Sequence, residues 1–265
     1  MARRQKASGL IVAVLAQVVV ALAAASEPVD LLQPDDRTRL ARLGAGVVGQ
    51  PVEPIDPLAL VAAMTRPHAA EFSVIDGKRK GETLSVSVKE ESRASAGQPK
   101  GNTAQWVLEI PGLFRQHIES SLSGLQSPRL ELEEQKLTSS YRPPEPMILL
   151  GVGPGKSMVT EMEIAVYPED DPKKAKYSGS VRATYSNRGS YRIHTGAGVF
   201  PGTVVRVHYE GKLGPATMDD FDYRIYSADI GLLAIVTHDT LKAMLLLNRD
   251  TRMALLLKNT PQAAK

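Results

Sequence analysis

The stretch GVGPGKSM, Gly151 to Met158, follows the apolar run Met147 to Leu150 and comes close to a phosphate-binding loop. Such a loop needs a glycine, four residues, then Gly-Lys-Ser/Thr, so that successive backbone N–H groups wrap a phosphate. Here only three residues separate Gly151 from Gly155, and Pro154 removes one of the donors. Met158 to Val166 then alternates as a strand, so no helix N-terminus faces the loop. The stretch reads as a Gly/Pro connection between strands, and no nucleotide is expected as a partner.

Other chemistry-bearing residues fare no better. His68, His117, His194, His208 and His238 are scattered, and no pair has the i, i+4 spacing of a helical zinc site. His194 and His208 flank one turn region and are the pair that could approach across a ladder. Asp219, Asp220 and Asp222 form the densest acidic cluster, but the turn glycine and bidentate Glu of a calcium loop do not follow. Asp222 and Arg224 project from the same strand face and read as a solvated charge pair. No Gly-x-Ser-x-Gly elbow and no supported Ser-x-x-Lys pair occurs. No catalytic, cofactor-binding or metal-ligating set emerges.

The elements around these residues are strands. Leu84, Val86 and Val88 alternate with polar neighbours, as do Trp106, Leu108 and Ile110, Leu130 and Leu132, and Met162, Ile164 and Val166. Val205, Val207 and Tyr209 alternate with Arg206 and His208, and Phe221, Tyr223 and Ile225 with Asp222 and Arg224. Period-two patterning in so many segments predicts antiparallel strands with one wet and one buried face. DGKRKG, SNRGS and EGKLGPA supply hairpin turns. Two segments resist. PGLFRQHIESSLSGL (111–125) fits a short helix between strands. TLKAMLLLNRDTRMALLLKN (240–259) reads as a buried helix or as a closing hairpin, and the hairpin is favoured because Asn248 to Thr251 sits midway between apolar runs.

The first residues speak for export. Arg3, Arg4 and Lys6 precede an apolar run that ends in Ala23-Ala24-Ala25-Ser26, the pattern of a secretory leader cleaved after Ala25. Retention as an N-terminal anchor is the alternative, and a membrane enters as a partner only in that case. The full chain carries a net charge of +3 from 32 Lys plus Arg against 29 Asp plus Glu. Residues 1–25 hold three of those cations and no acids, which leaves the mature chain balanced and nucleic acid an unlikely partner. The chain has no cysteine, and its 265 residues suffice to bury a core without disulfides. The compartment implied is periplasmic or secreted. Residues 26–70 form a preface: PDDRTRLARLG predicts a short helix capped by Asp35 or Asp36 and ended by Gly44, and a proline-rich stretch follows with a helix near Leu58 to Met64.

The segment YRIHTGAGVFPGTVVRVHYEGKLGPATMDDFDYRIYSADIGLLAIV, residues 191–236, resembles secreted β-proteins of the DUF3108 family. Their Pro-Ala-Gly-Thr-aromatic turn corresponds to Phe200-Pro201-Gly202-Thr203, which lacks the Ala. Their Gly-Val-Gly turn corresponds to Asp229-Ile230-Gly231-Leu232, which lacks the first Gly. The resemblance implies a curved sheet that grips lipid tails or partner proteins, and it carries over no catalytic residue.

The expected fold is mainly β: a curved antiparallel sheet or half-barrel with hairpin connections over residues 71–265, behind a signal peptide (1–25) and the Pro-rich preface (26–70). The expected role is non-enzymatic and cofactor-free, binding a hydrophobic ligand or an envelope partner on an apolar sheet face. EGKLGPAT is short enough to make its two flanking strands neighbours, so Val205, Val207, Tyr209, Phe221, Tyr223 and Ile225 are expected to form one contiguous candidate face. A structural or assembly factor acting through edge strands is the alternative, and a hydrolase comes third.

Overall fold

The computed structural model describes residues 28–91, 105–243 and 247–263. The leader with its Ala25 cleavage site lies outside the described residues. The strands in chain order are β1 (Val48–Val52), β2 (His68–Asp76), β3 (Thr83–Glu90), β4 (Gln105–Ile110), β5 (Phe114–Ser121), β6 (Gly124–Leu132) and β7 (Leu137–Leu149). They continue with β8 (Ser157–Pro168), β9 (Tyr177–Thr195), β10 (Gly198–Leu213), β11 (Ala216–Ser227), β12 (Gly231–Ala243), β13 (Leu247–Leu257) and β14 (Gln262–Ala263). Two short helices, α1 (Pro34–Leu40) and α2 (Pro57–Met64), precede β2.

Strands β2 to β13 form a closed antiparallel barrel of twelve, which corrects the open sheet or half-barrel. Each strand pairs with the next, and one further ladder, β13 with β2, closes the ring. Closure is how an all-antiparallel sheet with one apolar face removes its edges and covers that face at once. β9 and β10 approach so closely that a Cβ on Gly179 would meet the Lys212 carbonyl oxygen at 1.8 Å, so only glycine fits there.

The segment that resembled a helix between strands is the β5–β6 hairpin, paired Phe114↔Leu132 to Ser121↔Gly124. Its alternation was hidden because the inward position between Phe114 and Ile118 is Gln116, a buried polar residue. The hairpin reading of the C-terminal segment stands. Asn248 to Thr251 are not its turn: they lie within β13, paired with Lys242 to Asp239 of β12.

Outward positions on β3 to β6 carry a lattice of ion pairs, among them Lys89–Glu109, Arg115–Glu131 and His117–Glu131. A transmembrane barrel would present an apolar band there, so this wall faces water.

Over β9 to β12 the outside is apolar and covered by residues 30–43. Asp36 of α1, fully buried, accepts hydrogen bonds from the Tyr223 hydroxyl (2.8 Å) and the Gln33 backbone N–H (3.0 Å), and lies 3.3 Å from Arg188 and Arg206. Gln33, not Asp35 or Asp36, is the N-cap residue, and Gly44 at φ 120° ends the helical stretch. Arg39 stacks over Phe221, and Arg42 donates to the Thr237 carbonyl and to Asp76. β1 then pairs with β9 at Tyr191 and Ile193, outside the ring.

α2 starts at Asp56, whose carboxylate accepts from Leu58 N–H, and Pro57 supplies a preset φ at the first helical position. It meets β6, β7, β11 and β12 at the end of the barrel that holds the Ser227–Gly231 turn. Leu60, Ala63 and Met64 are buried there, so α2 stoppers that end.

Candidate functional site

Inward positions on β2 to β7 and β11 to β13 leave a cavity of about 500 Å³ in the lumen. Its walls are mostly aliphatic, with Val74, Leu84, Leu108, Leu130, Leu132 and Ile235 among them. Its rim is made by the β2–β3 turn (Gly77 to Arg79) and the β6–β7 turn (Glu134 and Gln135), at the end opposite α2. The exposed ion pair Lys78–Glu134 joins these two turns across the rim.

One wall is polar. Glu145 on β7, 3% exposed, accepts from Arg224 on β11 at 2.6 Å and from the Tyr209 hydroxyl on β10 at 2.5 Å. Arg224 also donates to Asp222 at 2.9 Å, and Gln116 on β5 reaches Glu145 at 3.5 Å. In the ring of twelve, β7 lies three strands from β10 and four from β11, so the bonds from Arg224 and Tyr209 to Glu145 span the lumen in front of β8 and β9 and divide it. Val181, Ala183, Tyr185, Val205 and Val207 pack the part under β9 and β10, and the cavity occupies the rest. Met147, Asp222, Arg224 and Tyr226 belong to the cavity lining.

Burial sets the electrostatics of this wall. It pushes the Asp222 carboxyl above its ordinary value, with the nearby Glu145 charge adding to the shift and Arg224 opposing it. It also pushes the Tyr226 phenol up to about 12, so that group stays a neutral hydroxyl. Desolvation is the largest single influence on Arg224 and works to lower it, but Glu145 with Tyr209, Tyr226 and Asp222 together outweigh it and hold the guanidinium well above its ordinary value. Asp222 and Arg224 do share a strand face, but that face looks into the barrel, which corrects the reading of a solvated pair.

A carboxyl raised by burial favours the fold while protonated, and that contribution fades as pH rises from the unfolded value through the folded one. Asp222→Asn, neutral at every pH, is therefore expected to melt higher than the wild type at neutral pH. Its advantage should shrink as pH falls below about 4, where Asp222 is protonated in both states. Thermal melts of both proteins across that range check it, and a variant that melts lower at neutral pH would contradict the account.

The six residues of the expected face do not lie together. The turn at Gly214–Pro215 sets Leu213 opposite Ala216, so odd residues of β10 face even residues of β11: Val205↔Arg224, Val207↔Asp222, Tyr209↔Asp220. Val205, Val207 and Tyr209 point into the lumen. Phe221, Tyr223 and Ile225 point out, where Tyr223 and Phe221 meet α1 through Asp36 and Arg39.

His194 and His208 stay apart, paired with Val199 and Thr184 respectively; His208 instead contacts Asp219 at 2.8 Å and stacks on Phe221. Among the described residues no group of three His, Asp or Glu side chains is placed to hold a metal. In the glycine loop after β7, Gly155 N–H donates to the Asn187 carbonyl and Lys156 N–H to the Gly153 carbonyl. Both amides are thus used within the protein, and the following segment is β8, not a helix.

The polar wall escaped sequence reasoning because each member looks like a surface residue on its own strand. The only signal was a charged or amide side chain at an inward position of an alternating segment: Gln116, Glu145, Asp222 and Arg224.

No family model matches the chain, and no curated protein matches it in sequence. The DUF3108 resemblance therefore rests on the turn motifs alone. Among solved structures, the hypothetical lipoprotein YmcC from Escherichia coli is similar at 8% identity and a TM-score of 0.36, over 86% of this chain and 98% of that one. A candidate lipoprotein from Parabacteroides distasonis shares 13% identity at a TM-score of 0.36, over 75% of this chain and 96% of its own. A protein with a YmcC-like fold from Bacteroides fragilis, described as a candidate exported protein, shares 12% identity at a TM-score of 0.27, over 74% and 94%. At these identities and TM-scores the likeness assigns no role to this chain.

Proposed function

We propose that this is a non-enzymatic carrier, exported by its leader, that holds an apolar molecule in the barrel lumen. The observation that carries this reading is the cavity itself, about 500 Å³ with aliphatic walls and a rim of turns. That size lies within the roughly 300–1,000 Å³ range of small-molecule sites. It replaces the expected six-residue apolar sheet face, whose residues are divided between lumen and α1.

Leu132 is half-buried in the wall. Leu132→Trp extends a side chain into empty space, so its melting temperature should stay within a few degrees of wild type, without the roughly 1–3 kcal/mol cost of overfilling a packed core. Binding of the uncharged probe N-phenyl-1-naphthylamine should fall at least tenfold. A wild type that binds no probe would defeat the carrier reading.

A second reading, edge-strand recruitment of a protein partner, has one observation in its favour. Among the described residues β7 pairs with β8 only from Leu137 to Arg142, and Met158 and Val159, on the part of β8 that pairs with β9 but not with β7, are exposed. A stretch with free backbone groups and exposed apolar side chains is where an added strand docks.

A further inference from the structure

The carrier reading leaves open what head group a ligand would have, and the polar wall bears on it. Arg224 and Tyr226 both line the cavity, are 8% and 0% exposed, and each has one polar atom with no well-formed hydrogen bond: Arg224 Nη1 and the Tyr226 hydroxyl, whose closest polar interaction is with the same guanidinium. Buried donors are nearly always hydrogen-bonded, so two under-satisfied donors on adjacent inward positions of one strand mark a place for an acceptor. Both atoms are covered, so an incoming oxygen reaches them by displacing part of the wall.

Charge decides which acceptor. The guanidinium already faces two carboxylates, Glu145 at 2.6 Å and Asp222 at 2.9 Å. A third anion would be repelled by both. Burial drives Asp222 toward its protonated form, but Glu145 then balances Arg224 by itself and still leaves no spare positive charge. The cations at the rim are engaged too, Lys78 with Glu134 and Arg79 with Glu82.

We propose, building on the carrier reading, that the lumen takes an uncharged amphiphile, an aliphatic ester, amide or alcohol whose oxygen accepts from Arg224 Nη1 and the Tyr226 hydroxyl. Free fatty acids and phosphates are disfavoured by the same wall. The chain lies along the aliphatic walls toward the rim.

The test displaces N-phenyl-1-naphthylamine from the full-length mature protein with methyl decanoate, decan-1-ol or sodium decanoate at neutral pH. The ester and the alcohol should compete at least tenfold better than decanoate. Tyr226→Phe removes the hydroxyl and keeps the ring, and its affinity for the ester is read relative to its affinity for the probe. Its affinity for the ester should drop about fivefold, the effect of one lost hydrogen bond. Decanoate competing as well as the ester, or Tyr226→Phe leaving ester affinity unchanged while the probe still binds, overturns the head-group assignment and leaves the carrier standing. A wild type that binds neither probe nor ester overturns both.

Discussion

Glu145→Leu is expected to destabilise the protein by roughly 3–5 kcal/mol, the usual cost of removing one partner from a buried ion pair. Glu145 is 3% exposed and is the common acceptor for Arg224 and the Tyr209 hydroxyl. Without it, Arg224 keeps only Asp222, whose carboxyl burial already pushes toward neutrality. For a domain of this size each kcal/mol is worth roughly 2–4 °C, so a melting temperature about 10 °C lower is anticipated. The double variant Glu145→Leu/Arg224→Met should regain most of that loss, because an apolar pair of similar volume often matches a buried ion pair. Chemical denaturation of the wild type, both single variants and the double variant measures this coupling. A Glu145→Leu cost below about 1 kcal/mol would mean the lumen is wet enough to solvate Arg224.

Asp36→Ala should be of similar size, roughly 3–5 kcal/mol, and for a related reason. This carboxylate is fully buried between Arg188, Arg206 and the Tyr223 hydroxyl, and it also accepts from the backbone at the start of α1. Its removal leaves two guanidiniums under α1 with no counter-charge. The readout that separates it from Glu145→Leu is local. Backbone amides of residues 34–43 should exchange with solvent much faster in Asp36→Ala, and amides of β10 and β11 less so, as expected when a covering segment opens before the barrel does. Uniform acceleration across the whole protein would show that the segment and the barrel open as one unit.

How much of this was legible in the sequence follows from where side chains point. Every alternating segment named from the sequence is a strand, because apolar residues at every second position have one low-energy solution when both ends are turns. Residues 111–125 failed that test since Gln116 occupies an inward site, where it meets Glu145 two strands away. Closure was not legible: the ladder that shuts the ring sets Leu257 against Phe72, far apart in the chain, and nothing local to either strand distinguishes a closed ring from an open sheet. The expected face failed through register. Alternation identifies which residues of one strand share a side, but the tight Gly214–Pro215 turn decides which side of the next strand joins them. Phe221, Tyr223 and Ile225 are apolar because α1 covers the outside there, a tertiary fact that strand periodicity does not contain.

The seam between β13 and β2 also constrains how the molecule comes into being. Leu257 pairs with Phe72 and Ala254 with Asp76, so the ring shuts only when residues near the C-terminus reach a strand made long before. Contacts of such high sequence separation slow folding, because loop-closure entropy is lost before the ladder returns anything. Until then β2 and β3 wait with apolar inward faces and an unpaired edge, the condition under which nascent chains aggregate. A chaperone that shields this early half would act on a species that exists only before the last strand is available.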